Sequence, residues 1–158
     1  MGLTIAEESP LGADLALLFQ RHTADMHADT PPESIHMMDR GELAAPGIRF
    51  FVLRDGGQPL AMGAFKRIEP DHAEIKSMHV LAEARGRGLS RRMLDHLVAQ
   101  AAADGLTRLS LETGIQPTFV AARALYERLG FRVTRETPIG ALRLVFGFRA
   151  ALTMVRPV

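Results

Sequence analysis

The sequence predicts a mixed α/β fold in which helices cover the faces of a mixed β-sheet. Two observations predict it. Segments with strand patterns alternate with segments whose apolar residues recur at helical spacing, in the order β-α-α-β-β-β-α-β-α-β-β. The length of 158 residues also suits one hydrophobic core, so residues 1–158 are expected to form a single domain.

The first half of the chain is expected to contain four strands and two helices. They are a strand at residues 3–5, a helix at 11–26, a short helix at 33–43, and strands at 48–53, 59–65 and 73–80. The prolines of Thr30-Pro31-Pro32 are expected to end the first helix. Asp55-Gly56-Gly57 is typical of a tight turn, so the strands on either side of it are predicted to form a hairpin.

The second half is organised around a long amphipathic helix that begins at Leu89. Its apolar residues fall on one face, and they are Leu89, Met93, Leu94, Leu97, Val98 and Ala101. A strand is predicted at residues 106–111. Pro117 suits the first turn of a further helix, and Gly130 suits its end. The last strands are expected at residues 131–134 and 142–154.

Composition excludes several classes of protein. The chain has no cysteine, so disulfides, thiolate nucleophiles and cysteine metal sites are excluded. A net charge of +1 gives no reason to expect a nucleic acid or a membrane surface as partner. No apolar run approaches a membrane span and no signal-peptide pattern is present, so a cytoplasmic protein is expected. The spacing of the six histidines matches no metal motif, and no metal is expected.

The loop Arg85-Gly86-Arg87-Gly88 joins the strand that ends at Val80 to the helix that begins at Leu89. Glycines let the backbone approach a ligand closely, and the first N–H groups of a helix bind anions. The loop therefore predicts a site for a phosphate-bearing ligand. The Walker pattern is absent, and Arg91 stands where the Rossmann pattern requires a third glycine. An ordinary tight loop before a helix would show the same residues.

The second notable segment ends in Leu125-Tyr126-Glu127, shortly before Gly130-Phe131. Phe119, Ala122 and Tyr126 share one stripe of the predicted helix, which would point the Tyr126 hydroxyl toward the cleft at the loop. Tyr126 is the only tyrosine of the chain. The alternative is a tyrosine at the edge of the core whose hydroxyl meets solvent.

Together, the R-G-x-G loop and the later A-x-x-L-Y-E-x-x-G-F run resemble the GNAT superfamily of acetyl-CoA-dependent N-acetyltransferases, over residues 48–133. The resemblance implies a central, mixed, mostly antiparallel sheet of six to seven strands flanked by about four helices. It implies acetyl-CoA as co-substrate. The residues that it places at the coenzyme are Met78, His79, Val80, Glu83, Ala84, Arg85, Gly86, Arg87, Gly88, Leu89, Ser90 and Arg91. Glu83 departs from the family, which prefers Gln or Arg there.

The N-terminal H-x-x-x-M-H…PPESIHMMD segment resembles a bacterial subgroup of this superfamily. The resemblance implies that His22, Met26 and His36, with Glu33, Ser34 and Asp39, lie in the segment that caps the acceptor site. From Glu136 onward the sequence departs from the family pattern, because it lacks the acidic loop and the short final strand expected there. A long apolar C-terminal strand would expose an edge, which a homodimer could cover.

An amine attacks a thioester only when it is neutral, so some group must take its proton. The candidates are Glu74, at the start of the predicted strand 73–80, and Glu112, at the end of the next strand; Glu112 could instead hold the acceptor. The resemblance implies that Tyr126 protonates the departing thiolate. Since no cysteine is present, the acetyl group would pass directly to a primary amine of a small molecule or amino-acid-like acceptor. A non-catalytic acyl-CoA-binding module and a protein lysine or N-terminal acetyltransferase are the alternatives.

Overall fold

A seven-stranded sheet forms the centre of the computed structural model, which describes residues 2–28, 39–114, 120–137 and 151–157. The strands are β1 (Leu3–Glu7), β2 (Ile48–Asp55), β3 (Gln58–Glu69), β4 (His72–Val80), β5 (Arg108–Gly114), β6 (Arg132–Thr137) and β7 (Ala151–Pro157). Their order across the sheet is β1-β2-β3-β4-β5-β7-β6. Every neighbouring pair is antiparallel except β4 and β5, which run parallel.

Four α-helices lie in the described ranges: α1 (Ala16–Ala28), α2 (Arg40–Leu43), α3 (Leu89–Ala103) and α4 (Val120–Arg128). The predicted fold class and the order of elements are therefore confirmed. The first helix begins later than predicted, because Ala13–Leu15 forms a 3₁₀ turn before it. Helix α2 starts after Asp39, whose carboxylate accepts a hydrogen bond from the Glu42 N–H at 2.7 Å. Residues 33–38 and Pro117 lie outside the described ranges.

The register of the strands assigns residues to the two faces of the sheet. Phe50 pairs with Ala64 and stacks on Phe19 of α1, at 5.8 Å between ring centroids. The next pair, Phe51 and Gly63, lies on the opposite face, where α3 packs. Helix α1 and helix α3 therefore cover opposite faces of the β2–β4 region. The apolar stripe predicted on α3 is confirmed, since Leu89, Met93, Leu94, Leu97 and Ala101 are buried.

The C-terminal strand differs from its prediction in two ways. It runs to Pro157, whereas the sequence pattern placed its end at Met154; residues 142–150 are not described. Strand β7 also pairs on both sides, with β5 and with β6. The edges of the described sheet are β1 and β6, so residues 151–157 do not form the exposed C-terminal edge that suggested a homodimer.

His96 of α3 is partly buried. Its ring contacts Phe51 edge-on at 4.8 Å between centroids. Burial lowers the pKa of His96, with a smaller effect of the Arg49 charge. Among the described residues, no helix has the length and apolarity needed to cross a membrane.

Candidate active site at the divergence of strands β4 and β5

Strands β4 and β5 pair at one end only. Their shared register runs from His72 opposite Arg108 to Glu74 opposite Ser110. Beyond this point β5 continues with β7, while β4 continues with β3. In the described part of the chain, the β5-facing side of β4 therefore has no ladder partner from Ile75 to Val80. An extended ligand can hydrogen-bond to such a backbone edge as an added strand would.

A β-bulge lies within this unpaired stretch. The β3–β4 register shifts between Met62 and Ala64, opposite the segment from Lys76 to His79. Ser77 has a φ of 55°, a left-handed conformation that is costly for any residue other than glycine. Such bulges bend a strand and redirect its side chains. The bulge accompanies the divergence of the two strands.

The glycine-rich loop leads from the end of β4 into α3. Gly86 and Gly88 have φ values of 84° and 74°, and a Cβ on either would meet no atom within 4 Å. The glycines are thus required by backbone conformation and not by lack of space. The Arg92 N–H bonds to the Gly88 carbonyl, so the N–H groups of Leu89, Ser90 and Arg91 precede the first bond of the helix. This arrangement fits a pyrophosphate.

The charged side chains of the loop are paired with other residues. Arg85 donates to Asp25 at 2.9 Å, and Arg87 donates to Asp55 at 2.9 Å. Arg91 lies 3.7 Å from Asp95. Carboxylates on α1 and β2 therefore partly neutralise Arg85 and Arg87. The N–H groups of Leu89, Ser90 and Arg91, by contrast, precede the first hydrogen bond of the helix.

Glu83, the departure from the family pattern, forms an ion pair with Arg21 of α1 at 3.0 Å. A hydrogen bond from its own backbone N–H and the Arg21 guanidinium lower the pKa of the Glu83 carboxyl. The carboxylate thus points to α1. Ala84, beside it, is buried in the core.

The end of β4 sends its side chains alternately to the two faces. The Met78 sulfur lies 3.0 Å from the ideal Cβ position of Gly63, on the α3 face. Val80 is buried, and its carbonyl accepts a hydrogen bond from Arg85 Nε at 3.3 Å. His79 turns to α1 instead, and its ring meets His22 edge-on at 5.4 Å. Met78, His79 and Val80, all expected at the coenzyme, are therefore neighbours in β4, but their side chains do not share one face of the sheet.

The two histidines and Asp25 form a compact group. His79 has a side chain that is 5% exposed, and its Nδ1 lies 3.9 Å from Asp25 Oδ2. Burial, helped by the nearby His22, lowers the pKa of His79 to about 4. Burial also lowers the pKa of His22, which the Asp25 carboxylate only partly offsets. Both rings are therefore neutral near pH 7.

Glu74, the candidate base, lies on the same face as His79. Its carboxylate forms an ion pair with Lys76 at 2.6 Å, and both side chains are about three-quarters buried or more. Glu112 lies in β5 opposite Thr153, but its side chain is outside what the structure describes. Met26 is partly buried on α1, and His36 falls outside the described ranges.

Tyr126 lies in α4 and packs on the core. Its ring contacts Phe131 edge-on at 5.9 Å, and its carbonyl accepts the Phe131 N–H at 3.0 Å. Burial raises the pKa of Tyr126 to about 12, so the hydroxyl keeps its proton at neutral pH. Within the described ranges, no hydrogen bond to this hydroxyl is found. A tyrosine of this kind can donate its proton to a ligand.

Three charged residues at this site were not predicted from the sequence: Arg21, Asp25 and Lys76. The signal for the first two was present, because Arg21, His22 and Asp25 share one face of a helix. Lys76 lies two residues after Glu74 on β4, and this spacing places both side chains on one face of the sheet. Across the residues that the structure describes, no group of three or more potential ligands could hold a metal ion.

The sequence of this chain matches the family model of the acetyltransferase (GNAT) family over residues 15–131. It is 37% identical over 121 residues to the uncharacterized N-acetyltransferase YsnE of Bacillus subtilis, covering 77% of this chain and 80% of that one. It is 40% identical over 134 residues to an IAA acetyltransferase of Azospirillum brasilense, covering 82% and 84% of the two chains.

A solved structure supports the same relationship at the level of fold. The acetyltransferase yncA of Salmonella typhimurium, solved with its cofactor acetyl-CoA, superposes with a TM-score of 0.72 at 19% identity. The match covers 99% of this chain and 94% of that one. With the family model spanning well over half of the chain, this protein belongs to the acetyltransferase (GNAT) family of N-acetyltransferases.

Proposed function

We propose that this N-acetyltransferase transfers the acetyl group of acetyl-CoA directly to a primary amine of a small-molecule or amino-acid-like acceptor, within a ternary complex. One observation carries the proposal: the unpaired edge of β4 is followed, after a single 3₁₀ turn at Ala82–Ala84, by the glycine loop and the start of α3. An elongated ligand with an amide-bearing arm and a pyrophosphate matches both parts.

The donor half of the site follows from this geometry. The backbone of Met78, His79 and Val80 offers strand-like hydrogen bonds along the open edge. The pyrophosphate would lie on the N–H groups at the start of α3. The residues proposed to contact the coenzyme are those predicted from the sequence: Met78, His79, Val80, Glu83, Ala84, Arg85, Gly86, Arg87, Gly88, Leu89, Ser90 and Arg91.

The acceptor would approach from the α1 face. Helix α1 covers this side of β4 with His22, and the Arg21–Glu83 and Asp25–Arg85 pairs connect it to the segment that follows β4. A helix held so close to β4 leaves more room for a small amine than for a folded protein surface. This favours a small acceptor over a protein lysine or N-terminus.

Two groups are proposed for the chemical step. Tyr126 protonates the leaving thiolate, since its raised pKa keeps its proton available. Glu74 and Glu112 are the carboxylates proposed to remove the amine proton, directly or through water. For Glu74, the Lys76 ammonium already occupies one carboxylate oxygen, so an ammonium substrate would compete with it. A chain without cysteine has no thiol for an acetyl-enzyme, which supports direct transfer.

Thiol release from acetyl-CoA, measured across a panel of small amines, amino acids, IAA and lysine peptides, tests the proposal. We expect turnover with a small amine and intersecting lines in a two-substrate initial-rate analysis. Parallel lines would indicate a covalent intermediate and contradict direct transfer. Coenzyme binding without turnover across the whole panel would favour the alternative, a non-catalytic acyl-CoA-binding module.

A further inference from the structure

We propose that His79 accepts the proton of the acceptor amine. Asp25 stabilises the protonated His79 ring, but only after the bound coenzyme has drawn Arg85 away from the Asp25 carboxylate. The inference rests on the proposed function, because it requires a phosphate-bearing donor at the glycine loop. It assigns the base to a histidine that the family resemblance placed among the residues at the coenzyme. It also makes Asp25 a positioning residue.

The proposal begins with one shared oxygen atom. Asp25 Oδ2 accepts a hydrogen bond from Arg85 Nη2 at 2.9 Å, and the same oxygen lies 3.9 Å from His79 Nδ1. The distance to Nδ1 is too long for a hydrogen bond, whereas the distance to Arg85 is ideal for one. The guanidinium therefore holds the carboxylate that would otherwise orient the imidazole.

Arg85 belongs to the loop that is proposed to bind the pyrophosphate. Its side chain is 54% exposed, so it can turn to a phosphate without unpacking the core. Phosphate is a strong partner for a guanidinium. Once Arg85 turns, Asp25 can move toward Nδ1–H and stabilise the protonated ring.

The second observation is an unsatisfied atom. His79 Nε2 is buried and has no hydrogen-bond partner among the described residues, while the whole residue is 7% exposed. An unpaired buried polar atom costs roughly 1–3 kcal/mol and calls for a functional reason. With its proton on Nδ1, facing Asp25, the neutral ring presents a lone pair at Nε2. An acceptor ammonium can donate to that lone pair.

The charges around His79 explain why the ring needs Asp25. Its neighbours are Arg21, His22 and Asp25 on α1, and Arg85 on the loop. Burial and three of these neighbours oppose protonation, and only Asp25 favours it. When Arg85 leaves the Asp25 carboxylate, its positive charge opposes the protonation of His79 less. The Asp25 carboxylate, no longer paired with Arg85, then favours that protonation more strongly.

The step balances as an ordinary proton transfer. The R–NH₃⁺ acceptor gives one proton to His79 Nε2, and its freed lone pair forms the C–N bond to the acetyl carbon. As the tetrahedral intermediate collapses, the nitrogen loses its second proton to solvent, the C–S bond breaks, and the thiolate takes a proton from Tyr126. The His79 imidazolium returns its proton to solvent, and Tyr126 regains one from solvent.

The test requires no acceptor. The pKa of the His79 ring is measured by NMR on histidine-labelled protein, with and without coenzyme A, and His79→Gln assigns the signal. We expect the pKa to rise by about one unit or more toward the ordinary value of ~6.5 when coenzyme A binds. Calorimetry in buffers of different ionisation enthalpy should show proton uptake on binding at pH 5–6.

Two variants complete the test. Asp25→Asn should bind coenzyme A but show no rise in the His79 pKa. Asp55→Asn is the matched control: it removes the carboxylate that pairs with Arg87 at the same distance of 2.9 Å, and it should leave the rise intact. Coenzyme A that binds the wild type without moving the His79 pKa would overturn the inference. Failure to bind coenzyme A would instead overturn the proposed function.

A kinetic measurement separates His79 from the carboxylates once the panel has supplied an acceptor. We expect His79→Gln to lower kcat by roughly 10²–10⁴, the range for loss of a general base. A loss in Glu74→Gln that exceeds the loss in His79→Gln would return the role to Glu74 and contradict the assignment.

Discussion

Gly63 of strand β3 lies directly beneath Met93 of helix α3: a Cβ on Gly63 would come within 2.9 Å of Met93 Cγ. The same Cβ would lie 3.0 Å from the Met78 sulfur and 3.2 Å from Leu97 Cδ1. Helix α3 therefore packs on the sheet only because this position carries no side chain.

Gly63→Ala should destabilise the protein, since the added methyl group must displace side chains in a packed core. We expect a loss of about 1–3 kcal/mol in the free energy of unfolding, measured by denaturant titration. Gly2→Ala is the control, because a Cβ there meets no atom within 4 Å and should change little. Equal stability of the two variants would show that α3 is packed less closely than described.

Gly88→Ala should weaken coenzyme A binding. Gly88 holds a φ of 74° at the start of α3, and an alanine there costs about 1–2 kcal/mol or turns the loop N–H groups away. Gly105→Ala is a matched control with a φ of 79° and open space around it, beyond the end of α3. Calorimetry should show weaker binding for Gly88→Ala alone, although both variants lose stability. Equal affinities would argue against the loop as the phosphate site.

The single tyrosine and the absence of tryptophan make Tyr126 visible by itself. Its phenolate absorbance should titrate with a midpoint of about 12 in the native protein, and near ~10 after unfolding. Folding raises the pKa of Tyr126. The contribution of its protonated hydroxyl to the free energy of unfolding is therefore complete below pH 10 and disappears as the pH rises toward 12. A native midpoint near 10 would mean that the hydroxyl is solvated.

Tyr126→Phe should lower kcat by roughly 10²–10⁴ while leaving coenzyme A affinity nearly unchanged, because only the proton donor is removed. The measurement is a steady-state rate with the best acceptor from the panel. Its companion is calorimetric titration with coenzyme A, which detects any damage to the donor site. An unchanged kcat would remove Tyr126 from the chemical step.

The buried histidine pair should make stability depend on pH. The pKa of His79 is lowered to about 4, and that of His22 is also lowered. The unfolded chain therefore takes up protons first, and stability falls as the pH drops from ~6.5 toward 4. His79 alone should contribute on the order of 3 kcal/mol across this window. Denaturant titrations should show a flatter profile for His79→Gln, and identical profiles would contradict the burial of the ring.

The fold was predictable because its signals are local. The apolar stripe from Leu89 to Ala101 and the Asp55-Gly56-Gly57 turn each specify their own element. Boundaries were less predictable: the second helix was predicted from residue 33, whereas α2 starts at Arg40, where Asp39 caps it. The central position of β7 depends on pairing between distant strands, which no local pattern encodes.

In the candidate site, too, the parts specified by local sequence could be predicted and the parts that depend on distant residues could not. The glycine loop could be found from sequence, because Gly86 and Gly88 are needed for backbone conformation. The pairing of Arg85 with Asp25 could not, since 60 residues separate them. The conformation of Ser77, and with it the face that His79 occupies, arises from a register shift between two strands.

The brief contact between β4 and β5 also bears on how the molecule holds together. Three residue pairs are the only ladder joining strands β1–β4 to strands β5–β7 in the described sheet. This seam is a point of mechanical weakness, where the two halves of the sheet can open separately. A coenzyme arm bonded along β4 would reinforce the seam, so donor binding should raise the folding cooperativity of the whole chain.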